Sequence, residues 1–181
     1  MHAQVSGTID FREPDDPACL ARLRSLASML PEVKPAPPFQ RGPCISPARP
    51  GSEIYDIVSP DSQVQFDVRD VLDCIVDAES FEEYKAEYGQ TLVCGYARIG
   101  GYFVGIVANQ HQQVKTPAKG RQFGGVIYDD SADKATRFIM DCNQNWLPLV
   151  FLQDVVGFMV GRDSERGGII RACAKLVNVL A

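Results

Sequence analysis

Histidine is almost absent from this chain. Among its 181 residues only His2 and His111 carry an imidazole, and they are far apart in sequence. A histidine-built metal centre or a Ser-His-Asp triad is therefore not expected. Cysteine motifs are missing too. Cys19, Cys44, Cys74, Cys94, Cys142 and Cys173 are widely spaced, with no Cys-x-x-Cys. The last four fall in apolar periodic segments, where cysteine packs as a small hydrophobe, so neither a disulfide framework nor a metal is expected. There is no basic run, and the net charge is -5, which argues against a nucleic-acid surface. No apolar run approaches the roughly 20 residues that span a bilayer. The opening "MHAQVSGTIDF" lacks the charged and apolar regions of a signal peptide. The default expectation is a cytoplasmic protein.

What is present divides the chain into three. Residues 1–30 hold one helical pattern: Asp15, Asp16 and Pro17 mark a start, and Leu20, Leu23, Leu26 and Leu30 recur at helical spacing. Residues 31–50, "PEVKPAPPFQRGPCISPARP", contain seven prolines, which remove backbone donors and fix φ. That segment, taken to residue 53, is expected to be an extended linker poor in contacts. The main domain begins near Ile54.

In that domain "DVRDVLDCIVD" places Val68, Val71, Leu72, Ile75 and Val76 on one helical face, with Asp67 as N-cap. "SFEEYKAEYG" carries a capping-box pattern at Ser80 and Glu83 and a stop at Gly89, which predicts a second helix. "TLVCGYARI" and "YFVGIVA", joined by Gly100-Gly101, predict a β-hairpin. Residues 109–123 are polar and predict a surface loop. "GGVIY" is a short strand, Ser131 a helix cap, and Ala135, Phe138, Ile139 and Cys142 the inner face of the helix that follows. Leu149–Leu152 make a further strand, expected to lie parallel and next to Gly125–Tyr128 with that helix as crossover. The alternation of short apolar strands with helices implies an α/β layer structure.

The last strand leads into "QDVVGFMVGRDSERGGI", with glycines at 157, 161, 167 and 168. Glycine permits close approach of the backbone to a ligand, and a helix N-terminus adds partial positive charge. Together they suit an anion or a developing oxyanion. The loop has neither G-K-[ST] nor G-x-G-x-x-G, which argues against a nucleotide-phosphate cradle. Phe158, Met159 and Val160 call for a ligand with an apolar part or for a subunit interface. Arg162, Asp163, Glu165 and Arg166 supply a polar rim. On loop chemistry alone, a turn with no ligand remains equally open.

Two stretches carry a resemblance. "FDVRDVLDCIVDAESFEEYKAEYGQTLVCGYARIGGYFVGIVAN" and "SADKATRFIMDCNQNWLPLVFLQDVVGFMVGRDSERGGI" resemble the carboxyltransferase subunits of biotin-dependent acyl-CoA carboxylases, of the propionyl-CoA and methylcrotonyl-CoA type, and the related glutaconyl-CoA decarboxylase α-subunit. The resemblance implies a crotonase-like fold, a spiral of β-β-α units, present here as a partial domain. It implies that residues 1–30 are the tail of an N-terminal carboxyltransferase domain, 31–53 the linker, and 54–181 part of the C-terminal domain. The implied activity is carboxyl transfer between carboxybiotin and an acyl-CoA. The implied partners are a biotinylated carrier or biotin carboxylase subunit and further carboxyltransferase subunits, in the cytoplasm or, in a eukaryote, the mitochondrial matrix. Gly157, Phe158 and Met159 then supply backbone oxyanion donors. Val160, Gly161, Arg162, Gly167 and Gly168 continue the substrate- and biotin-binding side, and no metal is required. Departures such as "GGVIYDDSA", Ala172-Cys173 and the length of "QHQQVKTPAKGRQF" leave the acyl group unassigned. Two alternatives share these residues: a non-catalytic assembly remnant, and a decarboxylase. The last helix is expected to expose Ile169, Ile170, Leu176, Val177 and Leu180.

Overall fold

The computed structural model describes residues 2–6, 9–29, 41–61 and 63–180. In chain order the helices are α1 (Asp16–Met29), α2 (Ile54–Ile57), α3 (Val68–Leu72), α4 (Asp129–Gln144), α5 (Arg162–Gly167) and α6 (Ile169–Asn178). The strands are β1 (Glu82–Tyr84), β2 (Leu92–Ile99), β3 (Tyr102–Asn109), β4 (Val114–Thr116), β5 (Gly120–Gln122), β6 (Val126–Ile127), β7 (Leu149–Leu152) and β8 (Gly157–Phe158).

The hairpin forms as its sequence predicts. β2 and β3 pair antiparallel from Leu92↔Asn109 to Ile99↔Tyr102. Gly100 and Gly101 make the turn with φ of 58° and 85°, values that glycine takes without penalty. The buried Asp77 carboxylate accepts from both turn amides, at 2.7 and 2.8 Å. The full sheet runs β1-β2-β3-β7, with β1 antiparallel to β2 and β7 parallel to β3.

Alternation along β2 and β3 sends side chains into two cores. On one face Leu92, Cys94 and Val107 meet Ala135, Phe138, Ile139 and Cys142 of α4 and Ala172 and Leu176 of α6. On the other, Val93, Ala97, Val104, Ile106 and Ala108 meet Val68 and Leu72 of α3 and Val76 beyond it. The result is helix, sheet, helix: an α/β layer structure. Asp67 caps α3 through a carboxylate that accepts from the Arg69 amide at 2.9 Å.

Five expectations are corrected. Residues 80–89 are not a helix. Positive φ at Glu79 and Lys85 breaks the helical path, and Glu82–Tyr84 join β2 as an edge strand. Glu83 grips Arg69 with two bonds of 2.8 Å instead of closing a capping box. Charged residues suit a strand with one open edge. The polar stretch 109–123 contains a small hairpin, β4 with β5. Ser131 sits inside α4, accepting from the Tyr128 amide at 2.9 Å, while Tyr128 holds the cap position.

The strand neighbours differ too. β7 does not pair with the 125–128 segment. β7 lies beside β3, and β6 pairs in parallel with β8 in a separate two-stranded ladder. The parallel β-α-β unit is therefore β3-α4-β7. β3 supplies eight residues, most of them buried, against two for β6, so it offers more pairing surface. Finally, Ile169 and Leu176 are buried at 4% and 8% exposure, whereas Ile170, Val177 and Leu180 are exposed.

Residues 31–40 of the expected linker lie outside the described residues. From Arg41 to Pro50 the chain is mostly exposed, yet it is tied to the domain. Arg41 bridges Tyr102 and Pro47 bridges Asp77, Gly42 N–H donates to Gly101 at 2.8 Å, and Arg49 pairs with Glu53 and Asp70. The expectation of few contacts fails for this half. α1 buries no residue of its own; it holds the sheet edge through Arg22 and Ser25, both bonded to Glu82.

One buried charge has a consequence for stability. Lys134 of α4 is fully buried, and its Nζ donates to the Leu92 carbonyl at 2.9 Å. Burial pushes its pKa below the ordinary 10.5, because desolvation disfavours the charged form. In the window between the folded value and 10.5 the unfolded state binds more protons, so stability rises with pH there and falls as pH falls. Urea unfolding of the wild type and Lys134→Met across pH 7 to about 10 should show the wild type gaining on the variant as pH rises. A flat difference would refute the assignment.

Candidate functional site

The glycine segment begins where β7 ends at Leu152. Asp154, Val155 and Val156 follow as irregular backbone, then β8, then Met159 and Val160, then α5. β8 forms because β6 offers a parallel partner: Val126 registers with Gly157 and Ile127 with Phe158. The ladder is extended by Val156 N–H to Gly125 at 2.7 Å and Met159 N–H to Ile127 at 2.8 Å.

That register decides which amides can serve a ligand. Along a strand, successive N–H groups point to opposite sides. Val156 and Met159, three residues apart, both donate to the β6 segment, so that alternation is interrupted between them, at Gly157 and Phe158. The expectation that all three donors from Gly157 to Met159 are available is corrected at Met159, whose N–H is bonded to Ile127. Gly157 and Phe158 are the candidate donors. The Phe158 ring is 41% exposed, between Val156 at 85% and Val160 at 78%. The surface around the donors is apolar and open, not an enclosed concavity. A cleft of about 820 Å³ is lined by Phe11, Leu26, Tyr84, Tyr96, Arg137 and Lys175 among others, and it includes none of this loop.

Two of the glycines are required by their backbone angles. Gly157 has φ of 153° and Gly161 has φ of 108° with ψ of 166°, a region that only glycine populates freely. A Cβ at either would meet nothing within 4 Å, so conformation and not crowding selects glycine. Gly161 stands at the N-cap of α5, and Arg162 begins that helix, exposed. The Gly167-Gly168 pair opens the last helix. Gly167 ends α5, and Gly168 (φ 91°) caps α5 at its C-terminus and α6 at its N-terminus. The sequence thus spends Arg162–Gly167 on a separate short helix. A Cβ on Gly167 would stand 3.2 Å from Asp129 Oδ2, whose carboxylate binds Lys119 Nζ at 2.6 and 2.7 Å.

Sequence reasoning missed the frame beneath the loop. Gln110 is 1% exposed and accepts from Gly125 at 2.8 Å through its carbonyl. Its side chain accepts from the amides of Val68 and Gln112 at 3.2 and 3.1 Å and donates to Asp67 at 2.7 Å. A Cβ on Gly124 would fall 2.1 Å from the His111 carbonyl, so the backbone of residues 124–125 passes directly against this frame. The signal was the Gly124-Gly125 pair, read only as the start of a strand. Among the described residues no group of three or more His, Cys, Asp or Glu could hold a metal, and no helix is long and apolar enough to cross a membrane.

A parallel β-α-β crossover built on a hairpin defines a layered α/β domain, and the solved carboxyltransferases it resembles share its crotonase-like fold. The carboxyl transferase domain family matches residues 1–181, and the chain belongs to that family. It is 40% identical, over all of its length, to the biotin-dependent 3-methylcrotonyl-coenzyme A carboxylase beta1 subunit of Mycobacterium tuberculosis, of which it covers 31%. It is 37% identical to the methylmalonyl-CoA carboxyltransferase 12S subunit of Propionibacterium freudenreichii, with 97% of this chain and 32% of that one covered. Among solved structures it resembles the transcarboxylase 12S hexamer with methylmalonyl-coenzyme A bound, at a TM-score of 0.84 and 37% identity over 98% of this chain and 33% of that one. The chain spans about a third of the length of these relatives.

Proposed function

We propose that this chain contributes to carboxyl transfer between carboxybiotin and an acyl-CoA, as part of an acyl-CoA carboxylase carboxyltransferase. The observation that carries the reading is the Gly157–Phe158 segment, bounded by two glycines of unusual angle after β7, in a chain of the carboxyl transferase family. Biotin, borne by a carrier or biotin carboxylase partner, supplies the carboxyl group. The Phe158 N–H then donates to the oxygen on which negative charge develops, which is where a fixed donor has most effect. Gly157 and Gly161 give the segment the angles that present this amide. Val156, Val160 and the Phe158 ring form the apolar rim that a second carboxyltransferase surface would cover, removing water and strengthening the bond. Val160, Gly161 and Arg162 lead away from the donor toward α5, and Gly167 and Gly168 close that helix. We place residues 1–30 with an N-terminal carboxyltransferase domain, 31–53 as linker, and 54–181 in a C-terminal one. The setting is the cytoplasm, or the mitochondrial matrix of a eukaryote.

The test supplies the chain with a biotinylated carrier bearing labelled carboxyl and a panel of acyl-CoAs, with and without separately expressed carboxyltransferase segments. Label should reach an acyl-CoA, and the panel identifies which. Stable association with the other segments but no transfer in any combination would overturn the reading in favour of a non-catalytic assembly role. Loss of label as CO₂ would favour a decarboxylase.

A further inference from the structure

The loop that presents Phe158 leaves β7 through residues with exposed side chains, so something must fix it. Asp154 is the point of attachment. Its N–H donates to Asn109 Oδ1 at 3.3 Å, and its Oδ2 lies 2.8 Å from His111 Nδ1. Two residues on, Val156 is bonded to Gly125, which is itself bonded to Gln110. Residues 109–111 therefore underlie the loop at two successive points, and Ile127 takes a third at Met159. The His111 ring is not free to choose its direction. It stacks on Phe66 with centroids 4.7 Å apart and planes 10° from parallel. Its side chain is 18% exposed, against 62% for Asp154.

We propose that His111 is a positioning residue. It clamps Asp154, and through Asp154 the segment 154–159, so that the Phe158 amide keeps one orientation. The proposal rests on the carboxyltransferase reading for its catalytic consequence, but the clamp itself is a property of this chain. The physical reason for such a clamp is that an oxyanion donor is useful only if it is oriented before charge develops; a loop that must first settle loses that advantage. His111 touches neither the donor nor the reacting atoms, and acts only through Asp154.

The experiment is a double-mutant cycle read by residue-resolved amide hydrogen exchange. His111→Phe keeps the ring on Phe66 and removes the nitrogen, whereas His111→Gln restores a donor that can reach Asp154. Asp154→Ala removes the other partner. Because the pair is partly exposed, His111→Phe should accelerate exchange at the two bonded amides, Val156 and Met159, by about fivefold. Asp154→Ala should do the same, the double variant no more than either single one, and His111→Gln should recover most of the protection. Unchanged exchange in His111→Phe, or additive effects in the double variant, would overturn the clamp.

In the transfer assay His111→Phe should lower kcat about fivefold and leave KM for acyl-CoA unchanged, as for a donor used only in the transition state. A rise in KM alone would overturn the positioning role. If the wild type transfers no carboxyl group in any combination, the carboxyltransferase reading fails, while the exchange cycle still decides the clamp.

Discussion

Phe158→Pro should reduce carboxyl transfer by about 10²-fold or more, the scale of one oxyanion donor, while the fold survives. Proline removes the N–H of residue 158 and no other donor. Residue 158 is the last of a two-residue strand, so little pairing is at stake, and the neighbouring bond at Met159 is untouched. Proline is tolerated on edge strands, and β8 lies in a two-stranded ladder that has no interior strand. The preceding residue is Gly157, which accommodates the restriction that proline imposes on its neighbour. Phe158→Ala is the control. It keeps the amide and removes the ring, so it tests the apolar rim alone and should cost less than about tenfold. Equal losses in the two variants would show that the ring and not the amide carries the effect. An unchanged rate in Phe158→Pro, with the chain folded by circular dichroism, would remove the site assignment altogether.

The second large effect lies in the core. Phe138→Ala should destabilise the chain by about 3–5 kcal/mol, as for large-to-small changes at fully packed aromatic positions. Phe138 has no exposed surface. Its ring centroid is 5.0 Å from that of Tyr96 and 5.5 Å from that of Tyr84, so it locks α4 onto both β2 and the β1 edge. A Cβ on Gly105 would sit only 3.3 Å from the same ring, which shows how closely β3 approaches it and how little the cavity could collapse. Trp146→Ala is the comparison: that side chain is 81% exposed and should change stability by no more than about 0.5 kcal/mol. Urea titration of the two variants decides it. A loss under about 1 kcal/mol for Phe138→Ala would mean that α4 does not pack on the sheet through this ring.

Much of the architecture was legible because its signals are local. Gly100-Gly101 between two alternating β-branched runs permits little but a tight hairpin. Asp67 before an apolar helical face is a cap, and its carboxylate does accept from Arg69. Ala135, Phe138, Ile139 and Cys142 share one side of a 3.6-residue repeat, and all four are buried. The family was legible too, from "PLVFLQ" and "GFMVG" read with the hairpin. The failures have one cause. At 80–89 the capping signature is a genuine local preference, but Glu83 meets Arg69 and Tyr84 meets Phe138 only in the folded chain, and those contacts outweigh it.

The amino-acid sequence by itself determined that this is an α/β chain of carboxyltransferase type, with its apolar faces, its turns and the glycines that allow unusual angles at 157 and 161. Tertiary structure alone decided which strands pair: β7 with β3, and β6 with β8. With that pairing it also decided that the Val156 and Met159 amides are consumed, which leaves Gly157 and Phe158 as the candidate donors. The reason is that a strand has two hydrogen-bonding edges and a period of two. Residue order gives the alternation, but which set of amides is consumed depends on a partner strand roughly thirty residues away, and shifting that pairing by one residue would change the donors.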